Sequence, residues 1–129
     1  MNHFFEVIES AQNRIFSFKI DLETEHFTSD ELLTFIEISK ISNLPISVKI
    51  GGCEAVHDLC IAKKLNSKII TAPMIESPYA LSKFINAANQ VFADNFPELF
   101  INIETIWAYN NLDLILNNDN TKYLKGIVI

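Results

Sequence analysis

The chain has 129 residues, of which 49% are hydrophobic and 20% are charged, and its formal net charge is -6. A chain this apolar can offset the entropy of ordering itself, which excludes intrinsic disorder and predicts one globular domain spanning 1–129. The acidic balance, with Arg14 as the only arginine, excludes the basic footprint of nucleic-acid-binding proteins.

Five short apolar segments alternate with longer segments of helical spacing. Strands are predicted at 15–21, 46–50, 68–73, 99–104 and 124–129. Helices are predicted within 1–13, from 28 to just before Pro45, and at 54–65, 77–91 and 106–116. This alternation is typical of an α/β fold with a parallel sheet built from βα units.

The length and the N-terminal sequence limit the architecture and the location. A complete eight-unit α/β barrel needs about 250 residues, so the chain has room for about half of one. No apolar run reaches the roughly 20 residues that a membrane-spanning helix needs. Acids stand in the first ten residues where a secretory signal would be basic. We therefore expect a cytoplasmic protein without a membrane partner.

The fourth predicted strand ends in two oxygen-bearing side chains. Asn102 and Glu104 are two residues apart, so both leave the same side of the sheet. Ligands of parallel α/β folds bind at the carboxyl ends of the strands. Glu104 is therefore a candidate ligand of a hard divalent cation and Asn102 a candidate substrate contact. The alternative is that Glu104 only stabilises the dipole of the helix that follows.

Other strand ends carry weaker candidates. Lys49 precedes the pair Gly51 and Gly52, whose backbone N–H groups could receive a carboxylate or a phosphate. A tight turn explains the glycine pair equally well. Glu76 follows the third strand and is either a substrate contact or simply an acid at a helix start. The alternating acids at 21, 23 and 25 are interpreted as a solvated edge.

Three segments resemble one enzyme family. They are SVKIGGCEA at 47–55, APMIESPYAL at 72–81 and INIET at 101–105, and they follow the strand ends in the order found in the HpcH/HpaI aldolase and citrate lyase family. The resemblance covers 16–129. It implies a (βα)8 barrel, of which this chain would hold about four βα units plus a fifth parallel strand.

The resemblance also implies a reaction. Members make or break a carbon–carbon bond beside a pyruvate-like or acyl-CoA-derived enolate with a divalent metal, Mg2+ or Mn2+. Glu104 matches a metal-binding carboxylate, Asn102 takes the place of a frequent glutamine, and Lys49 lies near a frequent arginine that stabilises the enolate oxygen. We therefore expect a lyase with a keto acid or acyl-CoA-type substrate, organised as a homo-oligomer.

One departure from the family pattern concerns the last strand. Members continue after it into a Gly-x-x-Asp loop that completes the metal site, whereas this sequence stops at Gly126-Ile127-Val128-Ile129. The expectation is that these 129 residues are the N-terminal part of such an enzyme, with an incomplete site and no appreciable turnover.

Three alternatives follow from the same pattern. A five-stranded receiver domain needs an aspartate ending the third strand and a lysine ending the fifth, and the sequence has neither. A non-catalytic half-barrel could instead form a dimer through its exposed sheet edge. A third alternative is an aldolase that forms a Schiff base on Lys49 or Lys19.

Overall fold

The computed structural model describes residues 2–11, 14–93 and 95–129. In chain order the elements are α1 (Asn2–Ala11), β1 (Phe18–Asp21), α2 (Ser29–Ser42), β2 (Ile46–Lys49), α3 (Val56–Lys64), β3 (Ile69–Ala72), α4 (Pro78–Phe92), β4 (Glu98–Asn102), α5 (Ile106–Asn110), α6 (Leu112–Leu116), a 3-10 helix (Asp119–Tyr123) and β5 (Leu124–Val128). The ends of the first predicted helix, at 1 and at 12 and 13, lie outside the described residues.

The five strands form one parallel sheet in the order β1-β2-β3-β4-β5. Each strand therefore pairs with the next strand of the sequence, and one or more helices connect each pair. This arrangement confirms the predicted α/β fold with four βα units and a fifth parallel strand.

The predicted single helix over 106–116 is wrong. Asn111 separates α5 from α6, and its side-chain amide donates to the carbonyl oxygen of Trp107 at 2.8 Å. Asparagine competes with the helix for backbone hydrogen bonds in this way, which makes it a poor residue in a helix interior. Two five-residue helices result.

The two faces of the sheet differ in character. Along β2 and β4, alternate residues such as Val48 and Ile101 are buried in one hydrophobic core with Phe84 of α4. The residues between them point to the opposite face, since successive side chains of a strand alternate. Lys49 and Asn102 lie on that opposite face and are half-buried, so the core positions them without enclosing them.

Helix starts follow the sequence signals. Thr28 caps α2 in a reciprocal capping box with Glu31, and Ser77 caps α4 directly before Pro78. Hydrogen bonds from the Thr28 backbone and hydroxyl lower the pKa of Glu31. Within the described ranges, no helix is both long and apolar enough to cross a membrane.

Candidate active site

Three strand ends meet around the carboxylate of Glu104. Its Oε1 accepts a hydrogen bond from Asn102 Nδ2 at 3.0 Å, and its Oε2 accepts one from the backbone N–H of Met74 at 2.8 Å. The ammonium of Lys49 lies 3.9 Å from Oε1. Hydrogen-bond donors from β4 and from the loop after β3 therefore orient this carboxylate, and a cation from β2 lies beside it.

The backbone of Met74 is in the left-handed region, with φ of 49°. Residues other than glycine adopt this conformation at a cost of order 1 kcal/mol, and such residues cluster at functional sites. The same residue supplies the N–H that holds Glu104 Oε2. The strained backbone therefore lies directly at the candidate site.

The alternative interpretation of Glu104, as an acid that stabilises the following helix, has less support. Thr105 caps α5, and its hydroxyl accepts from the N–H of Ala108 at 3.1 Å. The oxygens of Glu104 are engaged instead by Asn102, Met74 and Lys49. The carboxylate thus points toward the strand ends, and its side chain remains 35% exposed.

Lys49 is held in a carboxylate-rich environment. Its ammonium forms an ion pair with Glu23, and the Lys49 side chain is only 13% exposed. The hydrogen bond that Lys49 donates to Glu23 is the main cause that raises the pKa of Lys49. The charges of Glu23, Asp21 and Glu104 add to this increase, and burial opposes it. Lys49 therefore carries its positive charge throughout the neutral range.

Glu23 contacts the ammonium of Lys49, although the alternating acids predict a solvated edge at this position. The edge interpretation is correct for the exposed Glu25 and wrong for Glu23, whose side chain is 23% exposed. Asp21 Oδ1 accepts from the N–H groups of Glu23 and Thr24 at 2.9 and 3.3 Å, which turns the chain back toward β2. An aspartate at a strand end is a known turn signal, so this turn was predictable in principle.

One backbone donor of the glycine pair after β2 already has an acceptor within the chain. The N–H of Gly51 donates to Asp58 Oδ2 at 2.8 Å, and a Cβ on Gly51 would lie 3.1 Å from that oxygen. The predicted role of the Gly51 amide as an open anion receptor is therefore corrected, because the carboxylate of Asp58 already takes this donor. A Cβ on Gly52 would meet nothing within 4 Å, so space remains there.

In the described part of the chain, Glu76 is not bonded to the Glu104 cluster, which consists of Glu104, Asn102, Lys49 and the backbone N–H of Met74. It is half-buried in the loop between β3 and α4, one residue before the cap Ser77. Among the residues that the structure describes, no hydrogen bond or ion pair joins Glu76 to Glu104 or Lys49. Its predicted substrate contact stays a prediction.

The fit to a divalent metal rests on oxygen donors at the strand ends. Enzymes bind Mg2+ through one or two carboxylates together with water and substrate oxygens. Glu104 supplies one such carboxylate, and Asn102, whose Nδ2 donates to Glu104 Oε1, could add its amide oxygen only by turning its amide group. In residues 2–11, 14–93 and 95–129, no three His, Cys, Asp or Glu side chains are grouped so as to hold a metal ion.

The fold of this chain is similar to those of solved structures. No protein-family model and no curated protein matches the sequence. Among solved structures, the citrate synthase SbnG is similar with a TM-score of 0.71 and 13% identity, over 95% of this chain and 55% of that one. The HpcH/HpaI aldolase from Desulfitobacterium hafniense DCB-2 has a TM-score of 0.70 and 13% identity, over 95% of this chain and 56% of that one.

These structural similarities concern the fold of this chain. The chain spans about half the length of both proteins, so its fold corresponds to part of a TIM-barrel-type fold. The second of them is an aldolase of the family that the three sequence segments resemble. The resemblance is thereby confirmed at the level of the fold.

Proposed function

We propose that this chain carries the enolate-forming part of a metal-dependent carbon–carbon lyase. The observation that supports this function is the carboxylate of Glu104, oriented by Asn102 and Met74 beside the ammonium of Lys49 at the carboxyl end of the sheet. Ligands of this fold bind at that end. The substrate class would be a keto acid or an acyl-CoA-type compound.

Each residue has a proposed role. Glu104, with Asn102, would hold Mg2+ or Mn2+, which supplies a Lewis acid that makes an enolate easier to form when it is bound. The Lys49 ammonium would stabilise the negative charge that develops on the substrate oxygen. Lysine acts here as a single point charge, without the two-pronged fork that arginine offers. Gly52 and Glu76 would contact the remainder of the substrate.

A Schiff base on Lys49 is less well supported than this electrostatic role. A lysine must lose its proton before it can attack a carbonyl group, and enzymes that use one lower its pKa. Here Glu23 raises the pKa of Lys49. The charged form is thus favoured, which suits stabilisation of an enolate oxygen.

Catalysis by this chain alone is not expected. The chain spans about half of each structural neighbour, 55% and 56%. We therefore propose that residues 1–129 hold part of a site and release no appreciable pyruvate from a panel of hydroxy-keto acids with Mg2+ or Mn2+. Metal-dependent release that disappears in a Glu104→Gln variant would contradict this expectation and place the whole site in this chain.

Metal binding provides the direct test of the proposed site. Paramagnetic Mn2+, added to isotopically labelled protein, broadens the NMR signals of nearby amides. We expect the earliest broadening at Met74, Asn102 and Glu104, and we expect the Glu104→Gln variant to lose it, because a neutral amide is a poor ligand for a hard cation.

A matched control separates this site from the general acidity of the chain. Glu98 lies at the opposite end of β4 and pairs with Lys125 at 3.5 Å. The Glu98→Gln variant has the same net charge as Glu104→Gln and should keep the broadening at Met74. Broadening that is spread over many carboxylates, or that both variants weaken equally, would contradict the proposed metal site.

A non-catalytic half-barrel that forms homo-dimers is the second candidate. Within the described chain, β1 and β5 each pair with one strand only, and Phe16 and Val128 near these edges are 76% and 49% exposed. Exposed edges of this kind promote association. Sedimentation velocity would show a metal-independent dimer that Val128→Lys disrupts if this candidate is correct. A monomer would contradict it.

A further inference from the structure

A cavity lined by lysines lies at the opposite end of the sheet from Glu104. Lys40 lies in the last turn of α2, Lys64 in the last turn of α3, and Lys68 directly before β3. All three are exposed and line one cavity of about 370 Å³. Its other polar lining residues are Ser39 and the two left-handed residues that follow the helices, Asn43 and Asn66.

The three lysines have no carboxylate partner within the lining of this cavity. No acidic residue is among those that line it. Within the described ranges, none of Lys40, Lys64 and Lys68 is part of an ion pair. The whole chain carries a net charge of -6. The cavity is therefore a local positive region on an acidic protein.

Helix dipoles explain only part of this lysine cluster. A helix C-terminus carries about half a negative elementary charge, and lysines in the last turn are commonly found there for that reason. Two helices, α2 and α3, end at this cavity. They offset about one elementary charge in total. About two of the three positive charges at the cavity remain available to a ligand.

A hydrogen bond within the chain holds one of the three lysines in place. The ammonium of Lys68 donates to Asn66 Oδ1 at 3.1 Å, which places this lysine over the turn between α3 and β3. The same turn connects to an adjoining cavity of about 300 Å³ that Lys63 also lines. Lys63 donates to the carbonyl oxygen of Val91 at 2.6 Å. Glu98, which pairs with Lys125 at 3.5 Å, lines the adjoining cavity as well, so that cavity carries charges of both signs.

We propose that the cavity lined by Lys40, Lys64 and Lys68 binds a compact multivalent anion, either a phosphate compound or a polycarboxylate. Ammonium groups that line one cavity recognise such anions by charge, with few directional requirements. Because the lysines are exposed, the binding is weak and falls as ionic strength rises. The site is independent of the proposed lyase function, since it shares no residue with the Glu104 cluster.

Titration with pyrophosphate and with citrate at low ionic strength tests this proposal. In NMR spectra of the labelled chain, we expect saturable shifts at Asn43, Asn66 and Ser67. The Lys40→Gln and Lys64→Gln variants should each weaken binding about threefold, in line with exposed charge pairs. Shifts with pyrophosphate alone would indicate a phosphate compound, and shifts with citrate alone a polycarboxylate.

Lys83→Gln is the matched control. Lys83 lies in the N-terminal half of α4 and pairs with Glu54 at 2.6 Å, away from the lysine-lined cavity. Its substitution removes the same charge and should leave the affinity unchanged. Equal weakening by Lys83→Gln and Lys64→Gln would overturn the proposal, since net charge alone would then explain binding. Absence of saturable shifts with both anions would overturn it as well.

Discussion

Replacing Lys49 with methionine is expected to lower the free energy of unfolding by about 2 kcal/mol. This value lies between the effect of an exposed ion pair and that of a buried one, because Lys49 is 13% exposed and its partner Glu23 is 23% exposed. The variant leaves the carboxylates of Glu23 and Glu104 close together without the cation between them. Urea unfolding followed by circular dichroism at neutral pH measures the change.

The effect of Lys49→Met has a defined pH dependence. Glu23 raises the pKa of Lys49 above its ordinary value of 10.5. A raised pKa stabilises the folded state fully below the unfolded-state pKa, and this stabilisation is lost as the pH rises through the folded-state pKa. The difference between the wild type and Lys49→Met should therefore be constant around neutral pH and shrink in strongly alkaline solution.

Lys49→Arg is the control for charge. Arginine keeps the cation and stays protonated at every pH used, so most of the neutral-pH stability should remain. The alkaline loss that the wild type shows should be reduced in this variant. A Lys49→Met protein as stable as the wild type would mean that solvent screens the charge cluster completely. The proposed electrostatic role of Lys49 would then lose its structural basis.

The positions of the strands and of Glu104 could be predicted because they follow from local patterns. Short β-branched runs between helical segments specify a parallel βα arrangement. An acid directly after such a strand must lie at the end where this fold binds ligands. Glu104, Asn102 and Lys49 are therefore found together in the structure, as the positions of their strands imply.

The remaining contacts of the site depend on loop geometry that the sequence pattern does not specify. Glu23 reaches Lys49 because Asp21 turns the loop after β1, and Asp58 reaches Gly51 across seven residues. The N–H of Met74 reaches Glu104 from a left-handed backbone that its residue type does not suggest. Glu23 meets a residue of β2, Asp58 is a residue of α3, and Met74 meets the end of β4. Each of these contacts joins a loop to a different element, so the pattern of one segment alone does not predict it.

Replacing Phe84 with alanine is expected to have the largest effect on stability. Phe84 is fully buried in α4 and packs in the core between that helix and the sheet. Truncation of a buried phenylalanine removes apolar burial and leaves a cavity, which together cost about 3–5 kcal/mol. The total free energy of unfolding of a small domain is about 5–15 kcal/mol. The variant should unfold at much lower urea concentration, or be largely unfolded in its absence.

Phe16→Ala is the control for the loss of stability in Phe84→Ala. Phe16 is 76% exposed, so the same chemical change should alter the free energy of unfolding by less than about 0.5 kcal/mol. Phe84 belongs to the helix whose cap, Ser77, ends the loop that carries Met74. Partial unfolding of α4 would therefore release one of the two hydrogen-bond donors that orient Glu104. If Phe84→Ala and Phe16→Ala unfold at the same urea concentration, α4 does not anchor this loop.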